Sequence, residues 1–404
     1  MHTRPIWAEI SRSRLISNYQ KLQAFAGPYT DQMAVVKGDA YGHGIALCAS
    51  WLAAAGTTWL GVTSVEEGVV VRDAVRAISP QARILVMCGV LAGEEDALLD
   101  SALTPTIWEA RHLELLAHAA SRRRLSPGSI PIHLEIDSGM SRQGVVAAPQ
   151  ALSPILDRIR ATPALHLEGV FTHFASAEVL DAAQNQEQLR NFAQAVRMVA
   201  AAGFQPAWVH GGNSATLLRR QMRDPLAELA RSQSARLLMR PGIALYGYAL
   251  PIADADGSSE QALPVALEPV LCWKARIVSL RSVEAGTAVG YNATFIAPRD
   301  LRLALLPVGY ADGLNRKLSN KGHVLVRGSL APIIGRVSMD LTVVDVTNIL
   351  DVDIGEEVVL IGEQADPVGK LARVTAADHA RWADTIPYEI LCNLNTRVPR
   401  IGVE

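Results

Sequence analysis

A lysine closes the apolar run Met33-Ala-Val-Val, and glycines follow it at 38, 42 and 44 with Tyr41 between them. Glycine lets the backbone approach a ligand closely, and a tyrosine hydroxyl nearby adds a polar handle. A lysine at the end of a buried strand sheds charge as it loses water, which frees its amine as a nucleophile or base. Schiff-base chemistry is the use that fits this setting. The segment Lys37–Gly44 reads as a flexible, polar turn.

Further groups able to do chemistry follow other apolar runs. Asp137-Ser-Gly-Met-Ser-Arg142 follows Ile132–Ile136, and His173 follows Leu167–Thr172. His210-Gly-Gly-Asn-Ser214 ends a later run, and Arg240-Pro-Gly242-Ile243 ends the next. Backbone amides at such turns, with a serine hydroxyl, make an anion cradle suited to phosphate. Within the fifth run Ile132, Leu134 and Ile136 alternate with His133, Glu135 and Asp137, so one face is polar. Arg142 stands ready for an anion, or for a loop-holding ion pair with Glu135 or Asp137.

The elements that must position these groups come in a regular order. Eight strand-like runs, Met33–Val36, Trp59–Thr63, Arg83–Met87, Thr104–Ile107, Ile132–Ile136, Leu167–Thr172, Ala207–His210 and Leu237–Arg240, alternate with helical stretches. Val65–Ala77, Glu109–Ala120, Leu152–Arg160 and Gln186–Ala202 are the clearest helices. That order predicts a (β/α)8 TIM-type barrel over residues 12–250, whose strand C-termini form the active face. No GxGxxG follows the first run, which weighs against a dinucleotide fold. Leu250–Pro264 reads as a loop. Beyond it Val270–Leu280, Leu301–Pro307, His323–Val326, Ala331–Ile334, Leu341–Asp345 and Glu357–Ile361 predict an all-β C-terminal domain, residues 256–404, joined by the strand-like residues 1–11. Its outliers, Tyr291, Tyr310, Arg336 and Met339, are not assigned to the barrel site by spacing alone.

Composition narrows the function classes. A net charge of −2 with 19% charged residues gives no footprint for nucleic acid or an acidic membrane. No apolar run is long enough to span a bilayer, and the opening residues lack a signal-peptide core. The 4 cysteines have neither CxxC nor metal-ligand spacing, so the expectation is reduced thiols, no metal and a cytoplasmic protein.

Taken in order, Val-Val-Lys37-Gly-Asp-Ala-Tyr41-Gly-His-Gly, Asp137-Ser-Gly-Met-Ser-Arg142, Thr172-His173-Phe-Ala, His210-Gly-Gly-Asn-Ser214 and Arg240-Pro-Gly-Ile-Ala-Leu-Tyr-Gly resemble the alanine racemases. So do Val-Gly-Tyr291-Asn-Ala-Thr-Phe, Gly-Tyr310-Ala-Asp-Gly, Arg336-Val-Ser-Met339-Asp340 and Tyr388-Glu with Arg397-Val-Pro-Arg400. The resemblance runs from Trp7 to Arg400. The lysine and Arg-Pro-Gly motifs mark the wider barrel-type pyridoxal-phosphate proteins, whereas the Tyr291, Tyr310 and Met339 motifs are more specific to the racemases.

The resemblance implies pyridoxal 5′-phosphate (PLP) bound to Lys37, its phosphate held by Tyr41, Ser214, Gly242, Ile243 and Tyr388. It implies Arg240 at the pyridine nitrogen with His210 behind it, and His173 close to the ring. Lys37 and Tyr291 of the partner subunit would be opposed bases in a head-to-tail homodimer acting on a small amino acid. Arg142 and Met339 would contact the substrate carboxylate region, and Tyr310, Arg316, Arg336 and Ile386 would form the entrance. The implied duty is cytoplasmic, either supply of D-alanine as a peptidoglycan precursor or catabolism of D-amino acids. Alternatives are a racemase of broader scope (serine, lysine or arginine) and a non-catalytic PLP-binding homologue. Two departures stand out. Glu135 occupies a position where the family commonly carries a lysine, often carbamylated, and the expectation is that Glu135 pairs with Arg142 in its place. Arg219–Leu238 is longer and more charged than the family pattern, and with Leu250–Pro264 it is expected to reshape the entrance or the dimer edge.

Overall fold

The computed structural model describes residues 4–404 of the chain. Residues 1–3, included in the expected β-rich domain, lie outside the described residues. The chain divides into two compact units. One takes the N-terminal segment as far as Arg14, Tyr41–Gly44 and Glu268–Glu404; the other takes Leu15–Ala40 and Ile45–Leu267.

Strand β1 (Ile6–Ser11) belongs to the first unit. The second is built on β2 (Thr30–Val35), β3 (Trp59–Val62), β4 (Arg83–Val86), β5 (Thr104–Ile107), β6 (Ile130–Asp137), β7 (Leu165–Phe171), β8 (Trp208–Gly212) and β9 (Arg236–Met239). Every neighbouring pair is parallel, and the ring closes through β9 on β2 and β5 on β6. This is the (β/α)8 barrel that alternating runs and helices predict, with all eight strands within a few residues of their expected places. Its apolar interior includes Met33, Trp59, Leu85 and Leu238. Helices Val65–Val75, Ala110–Arg123, Pro149–Arg160, Ala183–Ala201 and Arg220–Ser232 cover the strands. Ser64 caps the first of them by accepting from the Glu67 amide, and proline opens the third at its first turn, where a missing N–H costs nothing.

Arg219–Leu238 is an ordinary barrel segment. Helix Arg220–Ser232 buries Met222, Leu226 and Ala230, and Arg219 donates to the carbonyls of Ala177, Val179 and Leu180. Arg223 donates to the Phe25 carbonyl and Arg236 to Asp31, both within this unit. Residues 250–264 contain a short antiparallel pair, Ile252–Ala253 with Glu260–Gln261, and Ala253 bridges Val179. These bonds keep the chain with the barrel as far as Leu267, past the expected start of the β-rich domain at 256.

The other unit is strand-rich. β10 (Leu271–Arg276), β11 (Ser279–Val283), β12 (Leu301–Leu306), β13 (His323–Val326), β14 (Ser329–Pro332), β15 (Thr342–Asp345), β16 (Glu357–Ala365), β17 (Leu371–Val374) and β18 (Arg400–Val403) follow in the chain. One sheet runs β14-β13-β16-β10-β1-β18 with β17 on β16, and a second runs β11-β12-β15. As the sequence predicts, β1 joins this unit, pairing antiparallel with β10 from Ile6 opposite Ala275 to Ile10 opposite Leu271. The unit also carries two short helices, Ala376–Ala383 and Pro387–Cys392.

Candidate active site

Six of the expected site residues ride on barrel strand ends: Lys37 after β2, Arg142 beyond β6, His173 after β7, His210 within β8, Ser214 just after it, and Arg240 after β9, followed by Gly242 and Ile243. The turn after Lys37 is not flexible. Gly38, Asp39, Ala40 and Tyr41 all take positive φ, between 53° and 62°, and the first three have ψ between 44° and 48°. Only glycine visits this region freely; for the other three it is strained. The turn is pinned at both ends. Glu67 accepts from the Gly38 amide at 2.7 Å and from the Thr63 amide at 2.8 Å, and Asp39 accepts from the Ile45 amide at 2.8 Å. Lys37 is half-buried. Loss of water lowers the pKa of its amine, Arg142 and Arg240 lower it further, and Cys88 and Glu67 oppose them.

Arg240 is buried and forked. Nη1 donates to His210 Nδ1 at 2.7 Å and Nη2 to the Thr172 carbonyl at 2.8 Å, while the guanidinium lies over the Phe171 ring at 4.9 Å. Burial lowers its pKa to about 10, so it stays charged at neutral pH. His210 stacks on Phe171 and is held neutral by burial and by the Arg240 charge. His173 is lowered to about 3, by burial first and then by Arg240, Arg142 and Lys37. The barrel mouth is therefore cationic, with its histidines uncharged.

Ser214 ties two loops together. Its hydroxyl oxygen accepts from the Gly242 amide at 3.1 Å and from the Ala244 amide at 3.2 Å. A hydroxyl has two lone pairs and one proton, so the proton remains to be donated outward. Ile243 opens a 3-10 turn whose first amides have no partner within the turn. The two loops after β8 and β9 thus come together around one hydroxyl, an arrangement with the chemistry to hold an anion.

The expected Glu135–Arg142 pair does not form, nor does Asp137–Arg142. Glu135 accepts from Gln143, which also donates to the Met87 carbonyl at 2.9 Å. Asp137 spends one carboxylate oxygen on the amides of Gly139, Met140 and Ser141, each at 3.0 Å. That turn leaves Arg142 exposed, with no ion pair among the described residues. Burial raises the Glu135 carboxyl to about 7, against the Gln143 bond and the Arg240 and Arg142 charges.

The strand-rich unit carries the remaining candidates. Tyr41, buried, sets its ring 6.0 Å from that of Tyr388. Tyr291 is 69% exposed at the tip of the ribbon Ala288–Val289/Phe295–Ile296, and Met339 is 53% exposed. The amides of Tyr310 and Ala311 donate to the carbonyls of Ser338 and Met339 at 3.0 Å, fixing those two turns side by side. Fully buried Asp312 anchors them through Arg4, Arg397 and the Gly309 amide. Arg316 and Arg336 line a cleft of about 450 Å³ with Lys317 and Lys321.

Two buried strand residues, His133 and Glu168, and Gln143 in the turn beyond β6 make contacts that strand patterning does not reveal. His133 donates to or accepts from His210 at 2.9 Å and faces Glu168 at 3.6 Å. A glutamate in the middle of the apolar stretch Leu165–Phe171 is the signal that could have found the first pair. Among the described residues no helix is long and apolar enough to cross a membrane.

The chain matches two family models, described as the alanine racemase N-terminal domain over residues 10–250 and the alanine racemase C-terminal domain over residues 270–402. It is 38% identical over 398 residues to an alanine racemase of Halothermothrix orenii, covering 98% of this chain and 97% of that protein. It is similar to the solved alanine racemase of Bacillus anthracis with bound L-Ala-P, with a TM-score of 0.85 and 29% identity over 99% of this chain and 95% of that one. For the alanine racemase of Bartonella henselae with covalently bound pyridoxal phosphate the TM-score is 0.77 and the identity 29%, over 99% of each chain.

Proposed function

Because this chain belongs to the alanine racemase family, we propose that it interconverts L- and D-alanine with PLP carried on Lys37. The observation that carries this reading is the placement of Lys37, half-buried just after β2 in a parallel barrel whose other strand ends carry Arg142, His173, Ser214 and Arg240. Burial and then Arg142 lower its pKa. The residues present fit the cofactor. The unspent Ser214 proton, with the Gly242–Ile243 turn, suits a phosphate, and Tyr41 and Tyr388 would complete its contacts. Arg240, which cannot give up its proton, would face the pyridine nitrogen and keep it unprotonated. His210 would support Arg240, and His173, uncharged, would lie near the ring. When bound, PLP makes the Cα proton of the attached amino acid acidic.

The chain's own groups then move that proton. The Lys37 amine takes or returns it at Cα on one face, and the hydroxyl of Tyr291 of the partner subunit does so on the other. Arg142 and Met339 would hold the substrate carboxylate, and Tyr310, Arg316, Arg336 and Ile386 would line the way in. In this reading the barrel unit carries Lys37, Ser214 and Arg240 for the cofactor, and the strand-rich unit carries Tyr41, Tyr388 and the second base. The working unit is a head-to-tail homodimer in the cytoplasm that supplies D-alanine.

Two experiments test the reading. A racemisation screen over alanine, serine, lysine and arginine should give alanine as the fastest substrate; turnover of none would overturn it, and a faster serine, lysine or arginine would replace alanine. Mixing Lys37→Ala with Tyr291→Phe subunits should restore activity, since one mixed site then has both bases. If the two bases came from one subunit, no mixed site would be whole and the mixture would stay dead.

A further inference from the structure

A line of buried polar groups runs through the barrel beneath Arg240. Arg240 Nη1 meets His210 Nδ1 at 2.7 Å, and His210 Nε2 meets His133 Nδ1 at 2.9 Å. His133 Nε2 faces Glu168 Oε2 at 3.6 Å, and Arg83 donates to the other oxygen, Oε1. Neither His133 Nε2 nor Glu168 Oε2 has another partner among the described residues. His133, His210, Glu168 and Arg240 are all buried. Gly169 leaves the room this needs, because a Cβ there would fall 2.6 Å from the His133 ring.

The ends of the line dictate its protons. An arginine only donates, so its bond to His210 requires a lone pair on Nδ1 and is lost if that nitrogen is protonated. Burial and the Arg240 charge keep His210 from taking a second proton, so its single proton sits on Nε2 and is donated to His133 Nδ1. His133, also kept neutral by burial, then carries its proton on Nε2, aimed at Glu168. Burial works against the Glu168 charge, yet His133 and Arg83 hold its carboxyl below the ordinary range, so it only accepts. A fixed donor at one end and a fixed acceptor at the other leave one tautomer for each ring.

We propose that Glu168 is a positioning residue which, through His133, fixes the tautomer of His210 and so holds Arg240 against an acceptor nitrogen. With the opposite tautomer two N–H groups would confront each other at Arg240, and the guanidinium would lose one arm of its fork. The consequence for turnover rests on the reading of Arg240 as the residue facing the cofactor.

Glu168→Gln is the informative variant, because an amide offers one acceptor oxygen where the carboxylate offers two. Arg83 claims that oxygen, the amide NH2 turns toward His133, and both rings are driven to exchange their protonated nitrogen. Removing the competitor in Glu168→Gln/Arg83→Leu frees the oxygen for His133 and restores the original tautomers. The readout is nitrogen NMR of the cofactor-free protein labelled at histidine, with His210 assigned from its absence in His210→Asn. The expected wild-type His210 proton is on Nε2, on Nδ1 in Glu168→Gln, and on Nε2 again in the double variant. With cofactor added, kcat should fall by about tenfold or more at similar KM in the single variant and recover in the double. A wild-type His210 protonated on Nδ1 overturns the proposal, and that measurement needs only the assignment variant His210→Asn to fold, not any change at Glu168. An unchanged tautomer in Glu168→Gln, or a kcat loss that deepens in the double variant as a purely structural role requires, also overturns it. Absence of racemisation by the wild type would sink the functional reading instead and leave the NMR result standing.

Discussion

The Arg240 guanidinium spans His210 Nδ1 at 2.7 Å and the Thr172 carbonyl at 2.8 Å, so one rigid group joins the ends of three barrel strands. A lysine carries the same charge but no planar fork, and it can satisfy one of these buried acceptors at a time. Arg240→Lys is expected to lower kcat/KM by about ten- to a hundredfold, in line with about 1–3 kcal/mol for an acceptor left unpaired. Steady-state kinetics in both directions, with the cofactor absorbance followed in parallel, check this.

Glu135 makes a stability prediction with a defined pH window. Its folded pKa, about 7, lies above the ordinary carboxylate value because of burial. Below about pH 4.5 the carboxyl is protonated in both folded and unfolded chains. As pH rises toward 7 the unfolded chain ionises it first, so the folded state binds more protons and its stability falls. Glu135→Gln removes this dependence. The variant should match the wild type near pH 4.5 and exceed it by about 3 kcal/mol at pH 8, as read by urea unfolding at the two pH values.

Ser214→Ala leaves the Gly242 and Ala244 amides without their shared acceptor and takes away the one proton left for a phosphate. PLP affinity of the cofactor-free protein should fall by about tenfold, corresponding to about 1.5 kcal/mol. Titration of cofactor absorbance measures it, and a folded baseline by circular dichroism separates binding from stability.

Gly42 sits at φ 81°, and a Cβ there would lie 2.1 Å from the Leu391 carbonyl oxygen. Its own carbonyl accepts from Arg400 Nε at 3.0 Å, so the backbone has little room to retreat. Gly42→Ala should cost about 3 kcal/mol or more, from strained φ and overlap together. A thermal melt is the direct measurement, and an unchanged midpoint would contradict it.

Much of the barrel was legible because each strand is a short apolar run bounded by polar or glycine-rich turns, and the chemistry-bearing residues follow those runs. Lys37, His173, His210, Ser214 and Arg240 could be found by asking which polar groups close an apolar stretch. The pairing of Glu135 could not. Asp137 draws three amides onto one oxygen and turns the loop so that Gln143, not Arg142, meets Glu135. Two backbone-level facts were equally hidden. The His133–Glu168 approach depends on a register shift between β6 and β7 at Ile132/His133, which side-chain patterning does not encode. The conformation of residues 38–41 is held by Glu67 and by the Asp39–Ile45 bond, since Ala and Tyr have no local preference for it.

That same stretch has a consequence for how Lys37 is mounted. Seen in a mirror, Gly38–Tyr41 would be an ordinary turn of α-helix, the conformation that D-residues adopt without strain. A chain assembled by chemical ligation with D-alanine at position 40 would sit more comfortably there than the native residue does. Lys37 thus hangs from a piece of backbone wound against the handedness of its own building blocks.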